Sequence, residues 1–183
     1  MNILSSSDAF PRRNPMFKKL FTTRALCTSA MIAALYAVIT LATPVLSYGA
    51  GSGWECRLSE ALTMLAVLFP EAIPGLTVGC LVANLLSPVG PIDIIFGTLA
   101  TLIAALGTWH FRSTLLLAAL CPVLSNAVIV GLILSITYGL PLFFTMLQVG
   151  VGEAAAVLVG CLLLAAVRKA GLTDLNHAGK HSV

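Results

Sequence analysis

No charged residue occurs from Ala25 through Trp54, and that run constrains the fold more than any other feature of the chain. About 20 apolar residues in a helix cross the hydrocarbon core of a bilayer, whereas the apolar core of a signal peptide is roughly 7–15 residues long. Arg12, Arg13, Lys18, Lys19 and Arg24 precede the run in the manner of a leader, but its length predicts a retained transmembrane helix at 25–47. Further long apolar runs lie at 92–110, 113–138 and 141–167. Only 9% of the residues are charged and 58% are hydrophobic, against about 25% charged in soluble domains. Such a chain cannot cover a water-facing surface. That excludes a soluble enzyme, a nucleic-acid reader and a disordered linker.

Between the first two runs lies Arg57 to Ser87, interrupted by Phe69-Pro70-Glu71-Ala72-Ile73-Pro74-Gly75. Proline removes a backbone donor and disfavours helix in the residue before it. Two shorter helices at about 57–69 and 72–87 follow, for an all-α membrane bundle of six transmembrane helices. Residues 1–23 form an N-terminal tail, 24–168 the membrane domain and 169–183 a C-terminal tail. Pro122 is expected to kink the fifth helix, and no internal repeat supports an inverted-repeat transporter. With six spans, Arg12, Arg13, Lys18, Lys19, Arg24, Arg112, Arg168, Lys169 and Lys180 share one side, and only Arg57 lies on the other. The positive-inside rule then makes both termini cytoplasmic in a multi-pass cell-membrane protein. A re-entrant hairpin at 57–87 would keep the same parity.

An ionisable group within a span costs roughly 2.5–3.5 kcal/mol on insertion scales, so each one asks for a partner or a function. Arg57 and Glu60 open the second helix, Asn84 closes the third and Asp93 opens the fourth, all near the outer face in this topology. Asn126 is midway along the fifth helix. Gln148 and Glu153 are in the sixth, with Glu153 about 18 Å below Pro141 at about 1.5 Å per residue. These groups share the outer half of the bundle and predict a pocket that opens outward. Structural roles compete for several of them. Arg57 and Glu60 have the i,i+3 spacing of an ion pair, Asp93 suits a helix N-terminus, and the amides can bond across helices. Glu153 has no cation nearby in its own helix. Trp54 and Tyr48 flank a glycine-rich outer loop, where they could anchor the interface or stack on a planar ligand.

Ala30, Ala33, Ala34 and Ala37 repeat at four-residue intervals along the first helix. Such spacing permits close approach of another helix, either within the bundle or from a partner membrane protein. The five cysteines are dispersed, so no metal cluster, disulfide framework or cofactor is expected. HExxH, GxSxG and GxxxxGK[ST] motifs are all absent; an energy source for uphill transport would have to come from elsewhere.

Arg57-Leu58-Ser59-Glu60-Ala61-Leu62-Thr63, Phe69-Pro70-Glu71-Ala72-Ile73-Pro74-Gly75 and Gly79-Cys80-Leu81-Val82-Ala83-Asn84 resemble the QueT family. So do the stretch from Asp93 to Thr101, Asn126-Ala127 and Gly150-Val151-Gly152-Glu153. The resemblance runs in order from about residue 30 to 168. It implies the six-helix fold of a substrate-binding S-component of an energy-coupling factor (ECF) transporter. The implied partners are a transmembrane coupling subunit and two cytosolic ATPases, and the implied ligand is a 7-deazaguanine, either queuine or a prequeuosine base. A carboxylate can accept the adjacent N–H donors of a guanine-type edge. Glu153 is the first choice for that role, with Glu60 and Asp93 as rivals. Asn84, Asn126 and Gln148 are candidates for the carbonyl and ring nitrogens. The other readings are an S-component for a different vitamin and a stand-alone proton-coupled carrier using Glu153.

Overall fold

The computed structural model describes residues 22–48 and 55–170, which contain helices and no strand. Helix α1 spans Thr23–Ala42, and α2 is the single turn Pro44–Ser47. Helix α3 is a 3₁₀ helix over Leu58–Val67, and α4 covers Ala72–Asn84. A π-helical turn at Asp93–Gly97 leads into α5, Thr98–His110. Helix α6 is Leu115–Tyr138 and α7 is Leu142–Lys169. Among the described residues, four segments are long and apolar enough to cross a membrane: Thr23–Ala42, Asp93–His110, Leu115–Tyr138 and Leu142–Lys169. Their outward faces carry exposed Met31, Ile136, Phe143 and Leu162, as lipid contact requires. The chain is an integral membrane helical bundle.

Local chemistry sets the boundaries. The Thr22 hydroxyl accepts a hydrogen bond from Ala25 N at 3.2 Å and caps α1. Pro44 stands at the first position of α2, where its missing N–H costs nothing. Helix α6 runs unbroken through Pro122 and ends at Gly139, whose φ of 65° is the left-handed stop that glycine tolerates.

The hairpin expected at 57–69 and 72–87 is present, but its first arm is not an α-helix. At about 2.0 Å per residue for 3₁₀ and 1.5 Å for α, α3 and α4 each reach only about 20 Å. A hydrocarbon core is about 30 Å thick. A 3₁₀ run of ten residues is long for a conformation that seldom exceeds 3–4. Packing explains it, because α3 contacts α1, α4, α5, α6 and α7. With three residues per turn, positions i and i+3 eclipse, which gives three straight stripes. Ala61, Met64 and Val67 face α6 and α7, where the last two cluster with Ala118, Val157 and Leu164. Ser59 and Leu62 face α1, through Thr40 at 2.7 Å and the cluster holding Ile32 and Tyr36. Glu60 and Thr63 form the polar stripe.

Such crowding needs small residues on the neighbours. A Cβ at Gly160 of α7 would collide with the backbone oxygen of Ala61, and one at Gly79 of α4 would lie 2.7 Å from Ala33 O. Gly160→Ala is therefore expected to cost about 1–3 kcal/mol by overpacking, seen as a lower melting temperature in detergent. Gly150→Ala is the control, since its Cβ would meet only the Ala127 methyl at 3.4 Å. Equal melting of the two variants would refute the close approach. The alanines of α1 divide between two surroundings: Ala37 is buried and Ala33 lies against Gly79, while Ala30 and Ala34 remain exposed.

Candidate ligand-binding site

Arg57 immediately precedes α3 in an extended conformation, φ −80° and ψ 96°, and its guanidinium ties the ends of several helices together. Nη2 donates to Asp93 Oδ2 at 3.0 Å, Nη1 to Asn84 Oδ1 at 3.1 Å, and Nε to Ser47 O at 3.2 Å. Nε also pairs with the Glu55 carboxylate. The Tyr48 ring lies 5.4 Å from the guanidinium carbon, and its hydroxyl donates to Ala83 O at 2.7 Å.

Asp93 and Asn84 complete this knot. Asn84 Nδ2 donates to Asp93 O at 3.0 Å, and Ser87 Oγ donates to Asp93 Oδ2 at 2.6 Å. Gly97, at the end of the π-helical turn, leaves room for them, since a side chain there would strike both Asp93 and Asn84. Both residues, proposed from sequence as ligand contacts, engage Arg57, Ser87 and each other.

The ion pair that the i,i+3 spacing suggested between Arg57 and Glu60 does not form. Arg57 turns toward Glu55 and Asp93, while the polar stripe of α3 aims Glu60 at α1 and α5. Glu60 Oε1 accepts from Tyr36 Oη at 2.5 Å and Thr101 Oγ1 at 2.8 Å, and its Oε2 accepts from Thr63 Oγ1 at 2.8 Å. Three hydroxyls hold this carboxylate in place of a cation.

Glu55, Arg57, Glu60, Asn126 and Glu153 line one cavity together with Val130 and Val149. The sequence analysis selected all of these polar residues except Glu55. The cavity volume is about 10 Å³, close to the minimum that admits one water molecule. A bicyclic base fits only after the walls separate. Asn126 lies within hydrogen-bonding reach of Glu153. Gln148 is buried with its Oε1 unpartnered but is not part of this wall, nor are Asn84 and Asp93. Trp54 lies outside the described residues.

Two acceptors in the cavity wall, Glu55 Oε2 and Glu153 Oε1, are buried and lack a hydrogen-bond partner. Leaving such an atom unpaired costs about 1–3 kcal/mol or more, so both retain unused acceptor capacity. Burial pushes the Glu55 carboxyl up to about 7; Asp93 and Glu60 add to the effect and Arg57 opposes it. Glu55 stands two residues before Arg57, and that adjacency was its only signal in the sequence. Tyr36 and Thr101 carried none, because which residues face Glu60 is decided by helix packing.

A family model described as QueT transporter matches residues 26–169. The chain is also 37% identical over 78 residues to the Queuosine precursor transporter QueT of Lactococcus lactis subsp. cremoris (strain MG1363). That alignment covers 43% of this chain and 45% of the relative, so the match spans less than half of the relative's length. No solved structure matches. With the family match running over well more than half of the sequence, the chain belongs to the QueT transporter family.

Proposed function

We propose that the chain is the substrate-binding membrane subunit of an ATP-driven ECF-type importer for queuosine precursors. It captures a 7-deazaguanine base in an outward-opening pocket. It delivers the base through a transmembrane coupling subunit served by two cytosolic ATPases. The observation that carries this reading is the pair of unpartnered carboxylate oxygens, on Glu55 and Glu153, in one buried cavity. A guanine-type edge supplies adjacent N–H donors, the complement of such acceptors. The name of the relative, a queuosine precursor transporter, supports the same ligand class. Glu153 reads the donor edge in this scheme, and Asn126 takes a carbonyl or ring nitrogen. Asn84 and Asp93 act indirectly by fixing Arg57.

Calorimetric titration of the purified protein in detergent tests the assignment, using queuine and prequeuosine bases with guanine, riboflavin and biotin as controls. Saturable one-to-one binding of the deazaguanines alone is the expected result. A folded protein that binds none of them refutes it. Uptake of the base by vesicles containing this chain alone, driven by an acid gradient, would refute the ATP-driven assembly and favour a proton-coupled carrier.

A further inference from the structure

The buried ionisable groups of the described bundle do not balance. Four carboxyl groups, Glu55, Glu60, Asp93 and Glu153, accompany a single guanidinium, Arg57. Arg57 is spent on Glu55 and Asp93, with Asn84 and Ser47 O as its further partners. Glu60 is held by the hydroxyls of Tyr36, Thr63 and Thr101. Glu153 has neither arrangement. Asn126 lies within hydrogen-bonding reach of it, no described cation pairs with it, and its Oε1 has no partner.

The surroundings oppose a charge at this position. Glu153 is buried in the interior of α7, a helix long and apolar enough to cross a membrane. The titratable and charged groups facing it are Glu60 on α3 and Glu55, Cys56 and Arg57 on the segment before α3; α6 contributes the neutral Asn126. Two of these neighbours are themselves carboxyl groups in the same cavity wall. A carboxylate that is buried without a cation or a full set of donors takes up a proton instead of holding its charge.

We infer that Glu153 is a proton-binding site in the empty protein, and that capture of a base displaces its proton into the medium. This inference rests on the reading of the cavity as a base pocket and adds a second, competing occupant to it. As the base enters, the O–H bond of the acid breaks and its electron pair stays on the carboxylate. The proton passes to water, and the freed oxygen accepts an N–H of the base; nothing is oxidised or reduced. Proton and base exclude each other at Glu153, so affinity is highest at high pH and is lost as pH falls. A proton-coupled carrier that moves both together would need the opposite sign, because its base would bind more tightly to the protonated site.

The test is calorimetry of 7-cyano-7-deazaguanine and queuine with the full chain near pH 7, repeated in buffers of different ionisation enthalpy. About one proton should be released per base bound, and affinity should fall by up to about tenfold per pH unit on acidification from pH 8 to pH 6. The Glu55 carboxyl, pushed up to about 7 by burial, titrates in the same range, so variants assign the source. Glu153→Gln should bind without releasing a proton, whereas Glu55→Gln should still release one. Should Glu153→Gln fold poorly or bind too weakly, infrared difference spectra decide: loading with base should remove a protonated-carboxyl band from wild type and from Glu55→Gln alike. Binding with no proton released, binding with proton uptake, release that persists in Glu153→Gln, or a protonated-carboxyl band unchanged by loading overturns the inference and leaves the base-pocket reading standing. If neither base binds, that reading fails and the inference with it.

Discussion

Glu153→Gln is expected to weaken deazaguanine binding by about 10- to 150-fold, with the protein still folded. Hydrogen bonds to charged groups contribute about 1.5–3 kcal/mol each, and each 1.4 kcal/mol is tenfold in affinity. The loss falls near the upper end of this range, because the amide places an NH₂ where the ligand presents its own donors. Stability should hardly suffer, since Glu153 makes no ion pair and one of its oxygens has no partner to lose. Calorimetry measures the first effect and a detergent melt the second. Affinity within twofold of wild type would remove Glu153 from the site, and a collapsed melt would make its role structural.

Arg57→Met should have the opposite profile and fail as a folded protein. The guanidinium is the shared partner of Glu55 and Asp93, and it also holds Asn84 and Ser47 O. Removing one partner of a buried ion pair costs about 3–5 kcal/mol, because the other charge is left uncompensated. Here two carboxylates are stranded. Arg57→Lys rescues little, since an ammonium lacks the planar fork that reaches several acceptors at once. Adding Glu55→Gln and Asp93→Asn to Arg57→Met should recover part of the lost melting temperature. Size-exclusion profiles and melts in detergent report on all of these variants. A single Arg57→Met variant that stays monodisperse with an unchanged melt would refute the knot as the bundle's central fastening.

The long spans were legible because nothing in water could accept them: runs at 92–110, 113–138 and 141–167 match the observed Asp93–His110 span (the π-helical turn with α5), α6 and α7 to within a few residues. The hairpin after Arg57 was legible as two pieces from Pro70 and Pro74, but the 3₁₀ form of α3 was not foreseen. Its signal was present, since Arg57, Glu60 and Thr63 recur every third residue, a period that eclipses in 3₁₀ and drifts in an α-helix. The candidate site was readable as a set of costly residues rather than as a set of roles. Expense of burial singled out Arg57, Glu60, Asp93 and Glu153, but which carboxylate takes the arginine is settled by backbone direction at residue 57. Glu55 was missed because two residues of separation along an irregular segment say nothing about shared burial.

No residue of α3 is exposed, and the consequence reaches beyond packing. A helix at the rim of a bundle has a lipid face on which one apolar residue can replace another almost freely, so its sequence can drift along that face. Helix α3 has no such face: each of its stripes is fitted to a neighbouring helix or to the polar network. Variation there must be matched by compensating change on the helices it packs against, α1, α4, α5, α6 or α7. The segment carrying Glu60 is thus the part of this transporter with the least freedom to be retuned for another ligand.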